Sequence, residues 1–201
     1  MKFLLLIISF VCFGIANAQT ISVPAFKRFG FQAGINIVNM NFNLGVPAPA
    51  VHADASWKPG ITFGFLLRIP LGNHFSLQPE YAFAQRNGSD KSLGIDYHID
   101  YMSMPLLLNY QVSPRLALLA GPQLDMLIDA RSADHGTTTG ITHDTEERSI
   151  GITGGLEVSI YGPLFLSARY LQGLNHIGIG QRSNTKEFKY QAVQLTAGVR
   201  F

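Results

Sequence analysis

Two clusters in the 201-residue chain combine residue types able to do chemistry. His98 and Asp100 stand two apart, Asp96 precedes them in the same register, and Ser103 follows. A histidine oriented by a carboxylate and set beside a hydroxyl is the constellation of nucleophilic hydrolysis. On a strand, residues two apart share a face, so His98, Asp96 and Asp100 can meet, but no spacing in the stretch fixes a triad. The plain reading is a polar rim. His135, His143 and Asp144 could gather a metal ion. They lie in a stretch rich in Gly and Thr that supplies no outer partners to orient them, so they read as solvated. No residue is therefore assigned as catalytic, cofactor-binding or metal-ligating, and no cofactor is expected.

The N-terminus carries a different kind of signal. Lys2 precedes an apolar run from Phe3 to Ala16 that ends in Ala16-Asn17-Ala18, the pattern of a secretory signal peptide over 1–18. That run is shorter than a spanning helix requires. A polar leader over 19–28 follows, expected on the periplasmic side, and 29–201 form a single domain. Cys12, the only cysteine, falls inside the signal peptide, and Phe10-Val11-Cys12-Phe13 lacks the small residue that follows a lipidated cysteine. The mature chain thus has no disulfide or thiolate metal site. Removing Lys2 takes the formal charge from +2 to +1, too little to suggest a nucleic-acid partner, and none is expected.

Beyond the leader, apolar and small or polar residues alternate with period 2 in eight segments, which reads as eight strands. They cover 29–38, 57–69, 75–86, 96–110, 115–129, 149–160, 164–174 and 191–201. In the last, Val193, Leu195, Ala197, Val199 and Phe201 share one face, while Gln194, Thr196, Gly198 and Arg200 share the other. Two segments fit less well. Pro79 removes a ladder donor from the third. In the fourth, Tyr97, Ile99 and Tyr101 occupy the face opposite Met102, Met104, Leu106 and Leu108, and a bulge near 100–102 would reconcile them. The stretches 39–56, 87–95, 130–148 and 175–187 read as long loops; the third of these is too polar to pack a core. Those around 70–73, 112–114 and 161–163 read as tight turns.

Throughout, the bulky residues lie on the apolar face, and Gly, Thr and polar groups lie on the other. A soluble barrel of the lipocalin kind would turn that apolar face inward. It would then crowd Phe63, Phe65, Tyr81 and Phe83 into a lumen with little room, and leave Gly30, Gly34, Gly60, Gly64, Gly151, Gly155 and Gly198 as its watery surface. The reverse facing suits lipid, and a charged fraction of 14% suits it too. Long and short connections alternate as they do in bacterial outer-membrane barrels, with short turns in the periplasm and the loops near Pro47, Gly88, Gly140 and Ser183 outside. The expected fold is an all-β, eight-stranded antiparallel up-and-down transmembrane β-barrel in the cell outer membrane.

This facing places Glu80, Asp125, Glu157 and Arg169 in the lumen near mid-height, Arg68 and Arg200 toward the periplasm, and Arg86 toward the outside. Such charges must pair or meet water, and Glu157 and Arg169 are expected within reach of each other. Trp57, Tyr97, Tyr101, Tyr170, Phe188 and Tyr190 read as an outer aromatic girdle; Phe29, Phe75, Tyr110, Tyr161 and Phe201 read as an inner one.

Four phrases in order resemble the PorT-like outer-membrane β-barrels of Bacteroidota. They are Met104-Pro105-Leu106-Leu107-Leu108-Asn109-Tyr110, Leu119-Ala120-Gly121-Pro122, Ala168-Arg169-Tyr170-Leu171-Gln172-Gly173-Leu174 and Gly198-Val199-Arg200-Phe201. The terminal Phe201 also resembles the closing aromatic read by the insertion machinery of such barrels. The resemblance implies the location and the eight strands, and it implies no activity. The function expected is that of a non-enzymatic barrel with a side-chain-filled lumen and a structural or interaction role. Its expected partners are outer-membrane lipid and other envelope proteins. A small gated channel and a lipid-directed enzyme are the alternatives.

Overall fold

Each alternating stretch forms a strand, and the strands close into a ring. The computed structural model describes residues 28–44, 56–90, 94–134, 137–179 and 186–201. The signal peptide, all of the leader but its last residue, and the loop residues Pro47, Pro49, His52, Asp54, His135, Gly136 and Ser183 lie outside the described residues. In chain order the strands are β1 Phe29–Asn41, β2 Lys58–Leu67, β3 Ile69–Pro70, β4 Phe75–Asp90, β5 Ile95–Gln111 and β6 Leu116–Asp134. They continue with β7 Thr137–Gly140, β8 Arg148–Ser159, β9 Leu164–Gly173, β10 Ile177–Ile179 and β11 Lys186–Arg200. Eight of these are long staves in the order β1-β2-β4-β5-β6-β8-β9-β11, each antiparallel to the next. β1 pairs with β11 from Gly30↔Arg200 to Asn41↔Lys189, which leaves the long staves no free edge. β3 prolongs β2, β7 adds to the top of β6, and β10 adds to the top of β11.

At one end the staves are joined by short turns, held by Val112 N–H to Leu116 O at 2.9 Å and Ile160 N–H to Leu164 O at 3.0 Å. Gly162 sits in the second of these with φ 56°, a left-handed conformation that favours glycine. Pro79 is tolerated because it falls opposite the break between β2 and β3, in the two-residue gap between the pairs Leu66↔Glu80 and Ile69↔Leu77, where a missing N–H interrupts no pairing on that side.

The outer face carries a lipid band. On β1 it runs from Phe29 to Ile37 and on β5 from Tyr110 to Met102, about 9 residues each, the length a tilted strand needs to cross the hydrocarbon. Its aromatic side chains pack on neighbouring staves, Phe31 against Phe65 at 5.6 Å and Phe63 against Phe83 at 5.2 Å between ring centroids.

Above the band, toward the loop end, the two faces exchange character. On β1, Asn39 and Asn41 turn outward while Val38 and Met40 are buried inside. On β5, Asp96, His98 and Asp100 face out while Tyr97, Ile99 and Tyr101 face in. On β11, Lys189 and Gln191 face out while Phe188, Tyr190 and Ala192 face in. The staves thus outrun the membrane and become the wall of a water-soluble barrel with an apolar core, an upper storey on the lipid-facing one. That core gathers Val38, Met40, Phe42, Tyr97, Ile99, Tyr101, Ala130, Leu171, Ile177, Ile179, Phe188, Tyr190 and Ala192.

Four expectations are corrected by this inversion. The alternation of β5 runs unbroken from Tyr97 to Asn109, so no bulge is needed there to reconcile its faces. The register does shift at Asp100/Tyr101, but the extra residue belongs to β6, where Asp129 and Leu127 are the successive partners. Tyr97, Tyr101, Phe188 and Tyr190 are core residues and not girdle residues, because above the band the lumen must be filled with apolar groups; Trp57 and Tyr170 do face outward. The connection near residue 88 is no long loop. β4 and β5 pair up to Asp90↔Ile95, and Gly88 is buried where a Cβ would strike Met40. Nor is the stretch after residue 130 without core contacts, since Ala130 is fully buried and Ile141 packs against the same cluster.

Candidate functional site

The interior of the barrel holds most of its buried charge, in three layers beneath the apolar cap. Each charged side chain is placed there by the same period-2 rule that sends a bulky neighbour into lipid. At the turn end, Arg68 donates through Nη2 to Glu157 at 2.8 Å and to Gln78 Oε1 at 2.9 Å. Asn109 shares that Gln78 oxygen at 3.3 Å. Arg200 forms an ion pair with the same Glu157 and lies 4.1 Å above the Phe165 ring.

In the middle layer one carboxylate takes four donors. Glu80 accepts Arg169 Nη1 at 2.7 Å and Nη2 at 2.9 Å, Gln32 Nε2 at 2.7 Å and Gln78 Nε2 at 2.7 Å. Gln78 thereby ties this layer to the one below. Glu157 and Arg169 are diagonal neighbours across β8 and β9, as expected, but they do not bond. The guanidinium reaches across the lumen to Glu80, where a bidentate fork is available, and Glu157 is occupied by two arginines from other staves.

The upper layer pairs Arg86 with Asp125 at 2.7 Å. Asp125 Oδ1 accepts from Ser103 Oγ at 2.6 Å and from Gln123 Nε2 at 2.8 Å. Arg86 also lies over the rings of Tyr101 and Tyr190, 5.0 and 5.1 Å from their centroids, so the cation meets the apolar cap through aromatic faces. A void of about 20 Å³ between the middle and upper layers is bounded by Glu80, Arg86, Ser103 and Gln194. That is room for about one water molecule.

The residues singled out for chemistry are not assembled. Ser103 faces the lumen, bonded to Asp125, while His98 is on the outside with Asn87 Oδ1 at 3.1 Å from its Nδ1. The barrel wall separates nucleophile from base. Asp96 makes an ion pair with Lys58 at 3.1 Å. A hydrogen bond from Ser89, followed by the charge of Lys58, holds its carboxyl below the usual range. Asp100 accepts from Gln85 at 3.3 Å. His143 and Asp144 sit in a short 3-10 turn, and among the described residues no group of His, Cys, Asp and Glu is arranged to hold a metal ion. In the cap, burial raises the Tyr97 phenol to about 12, helped by Asp90 and Asp134.

Sequence reasoning located seven of the eight buried charges among the described residues; it left Asp90, buried at the top of β4, in a loop. It missed the amide side chains of Gln32, Gln78, Asn109 and Gln123 that join them, and it missed the cap. The signal for the cap was present, since Phe188, Tyr190 and Ala192 alternate with Lys189 and Gln191 in antiphase to the residues that follow.

The sequence profile of the outer membrane protein beta-barrel domain family matches residues 17–178. Among solved structures, the attachment invasion locus protein Ail of Yersinia pestis is similar with a TM-score of 0.51 and 16% identity, covering 87% of this chain and 98% of that one. Neisserial surface protein A is similar with a TM-score of 0.55 and 14% identity, covering 86% and 97%. At such identities the likeness is one of fold. No curated protein sequence matches.

Proposed function

Because the chain belongs to the outer membrane protein beta-barrel domain family, we propose that it is a non-enzymatic, non-conducting barrel whose task is to present its loop-end storey to other envelope components or to the cell exterior. The observation that carries this reading is the double filling of the lumen, an ion-pair lattice through the lipid-facing storey and a packed apolar core above it. A protein built to pass solutes has no use for both. The upper storey, polar outside and packed inside, has the make-up of a small soluble domain held at the membrane surface.

In this reading the short turns face the periplasm and the upper storey faces outward. Residues 1–18 are removed as a signal peptide, and the four phrases from Met104 to Phe201 support membership of the PorT-like group. The gated-channel alternative requires cap and lattice to move together. The lipid-directed enzyme is disfavoured by the wall between Ser103 and His98.

The test has two arms. Native protein in planar bilayers should give no steady single-channel current, and crosslinking in native membranes should recover envelope partners through the loop-end face. Steady conductance from correctly folded protein would replace this reading with the channel.

A further inference from the structure

Arg86 leaves one of its donors unused. The residue is 2% exposed, and its Nη2 pairs with Asp125 at 2.7 Å, but Nη1 is buried with no acceptor. A buried guanidinium N–H without a partner is costly. Arg86 also lines the void of about 20 Å³ between the middle and upper layers. Asn36 and Gln194, which face each other in the register of β1 and β11, line the same void. Asn36 Nδ2 donates to Gln85 O at 3.4 Å and Gln194 Nε2 to Thr62 Oγ1 at 3.4 Å. Their two carboxamide oxygens accept no hydrogen bond from a described residue.

The void interrupts the upper layer. Arg86, Ser103, Gln123, Asp125 and Thr153 are joined to one another by hydrogen bonds and ion pair, and they come from the neighbouring staves β4, β5, β6 and β8. Among the described residues no hydrogen bond links their side chains to Asn36, Thr62 or Gln194 on β1, β2 and β11, or to Glu80 and Arg169 below. Gln78 ties the lower two layers together, and no side chain does the same one level up. The void stands in that gap, lined from both sides.

Size, charge and chemistry restrict what can occupy it. The volume suits about one water molecule. Arg86 is set against Asp125 and Glu80 against Arg169, so an anion there would meet the Glu80 carboxylate and a cation would meet the Arg86 guanidinium. The occupant is therefore neutral. It must accept from an N–H and donate to amide oxygens, which an apolar guest cannot do. We propose that the void is a binding site for one water molecule, which accepts from Arg86 Nη1 and donates to the carboxamide oxygens of Asn36 and Gln194. Three bonds of this kind are the usual complement of a buried water. The molecule carries the upper layer across to the seam where β1 and β11 close the barrel, and it does so whatever the loop-end storey binds.

The test uses the full chain folded in detergent. Crystals of the native protein should show a density peak within hydrogen-bond distance of Arg86 Nη1 and of Asn36 or Gln194, and crystals pressurised with xenon should show none of the gas in the void. Ala84, which lines the void and is 4% exposed, supplies the second readout, the urea midpoint followed by Trp57 fluorescence. Ala84→Val displaces the water and strands Nη1, so its midpoint should fall below the native one. Ala84→Ser sets a hydroxyl at the same wall and should stay closer to native. A dry void would reverse that order, because filling a dry cavity stabilises. A xenon peak in the void, an Ala84→Val midpoint at or above the native one, or no density in the void of crystals that resolve other buried waters would each overturn the proposal.

Discussion

Exchanging Arg169 for methionine should be among the most damaging single changes in the barrel, and exchanging its partner as well should undo much of the harm. Arg169 makes a bidentate pair with Glu80 at 2.7 and 2.9 Å and a further bond to Ser167 Oγ at 2.9 Å. Both charged side chains are 1% exposed. Arg169→Met leaves the Glu80 carboxylate with the two neutral donors Gln32 and Gln78 and no countercharge in its layer. Breaking one side of such a buried pair costs about 3 to 5 kcal/mol. With a urea slope near 2 kcal/mol per molar, the unfolding midpoint should fall by about 2 M. Glu80→Gln alone should cost a similar amount, since it strands the guanidinium. The double variant replaces the pair by a neutral amide and an apolar side chain. Its loss should fall well short of the sum, with a coupling of at least about 2 kcal/mol in the cycle. Trp57, the single tryptophan, reports folding by fluorescence in urea titrations with detergent micelles. Strictly additive losses would mean that Arg169 and Glu80 do not act as a pair and would refute the lattice.

Three further outcomes test the remaining parts of the architecture. Phe65 lies mid-band and is 53% exposed to lipid, so Phe65→Arg should lose about 2 to 4 kcal/mol and most of the folded, heat-modifiable band; His98→Arg, on the outward face above the band, should fold normally. Ile99 is fully buried in the cap, so Ile99→Asp should open the upper storey to protease while the lipid-facing storey stays protected, and loss of both storeys together would show that they fold as one unit. Tyr97 is buried neutral and ionises at about 12 when folded, against roughly 10 in an unfolded chain. Its folded value is raised, so its contribution is complete below pH 10 and fades as pH rises from about 10 to about 12. Protease sensitivity of the upper storey should appear in that window and shift upward in Tyr97→Phe.

The ring of eight staves was legible because period-2 alternation survives wherever one face meets a single solvent. From Phe29 to Ile37, or from Val193 to Val199, the outside is hydrocarbon and the inside is polar, so the sequence states its facing residue by residue. The same alternation continues above the band, but the solvent outside changes from lipid to water. Val38, Met40, Tyr97, Ile99, Phe188 and Tyr190 are then apolar because they point inward. A rule that equates apolar with outward must break the strand there or invent a bulge. What was illegible at that level was where the membrane stops. Asn39, Gln85, Asp100, Gln172 and Gln191, polar outward residues at the top of five staves, mark that level once the ring is closed.

The partners inside the lumen were hidden for a different reason. Sequence fixes which face a charge occupies, but a closed barrel brings together staves far apart along the chain. Arg169 and Glu80 are 89 residues apart, as are Arg68 and Glu157. The nearest charge across a hairpin, Glu157 for Arg169, was the natural expectation, and it fails because reach in a narrow lumen is set by diameter and not by ladder adjacency. An arginine long enough to cross the barrel chooses the carboxylate that offers it two oxygens. In choosing Glu80, Arg169 leaves Glu157 to Arg68 and Arg200. Two arginines thereby share one carboxylate at the turn end, while each of the two layers above sets one guanidinium against one carboxylate.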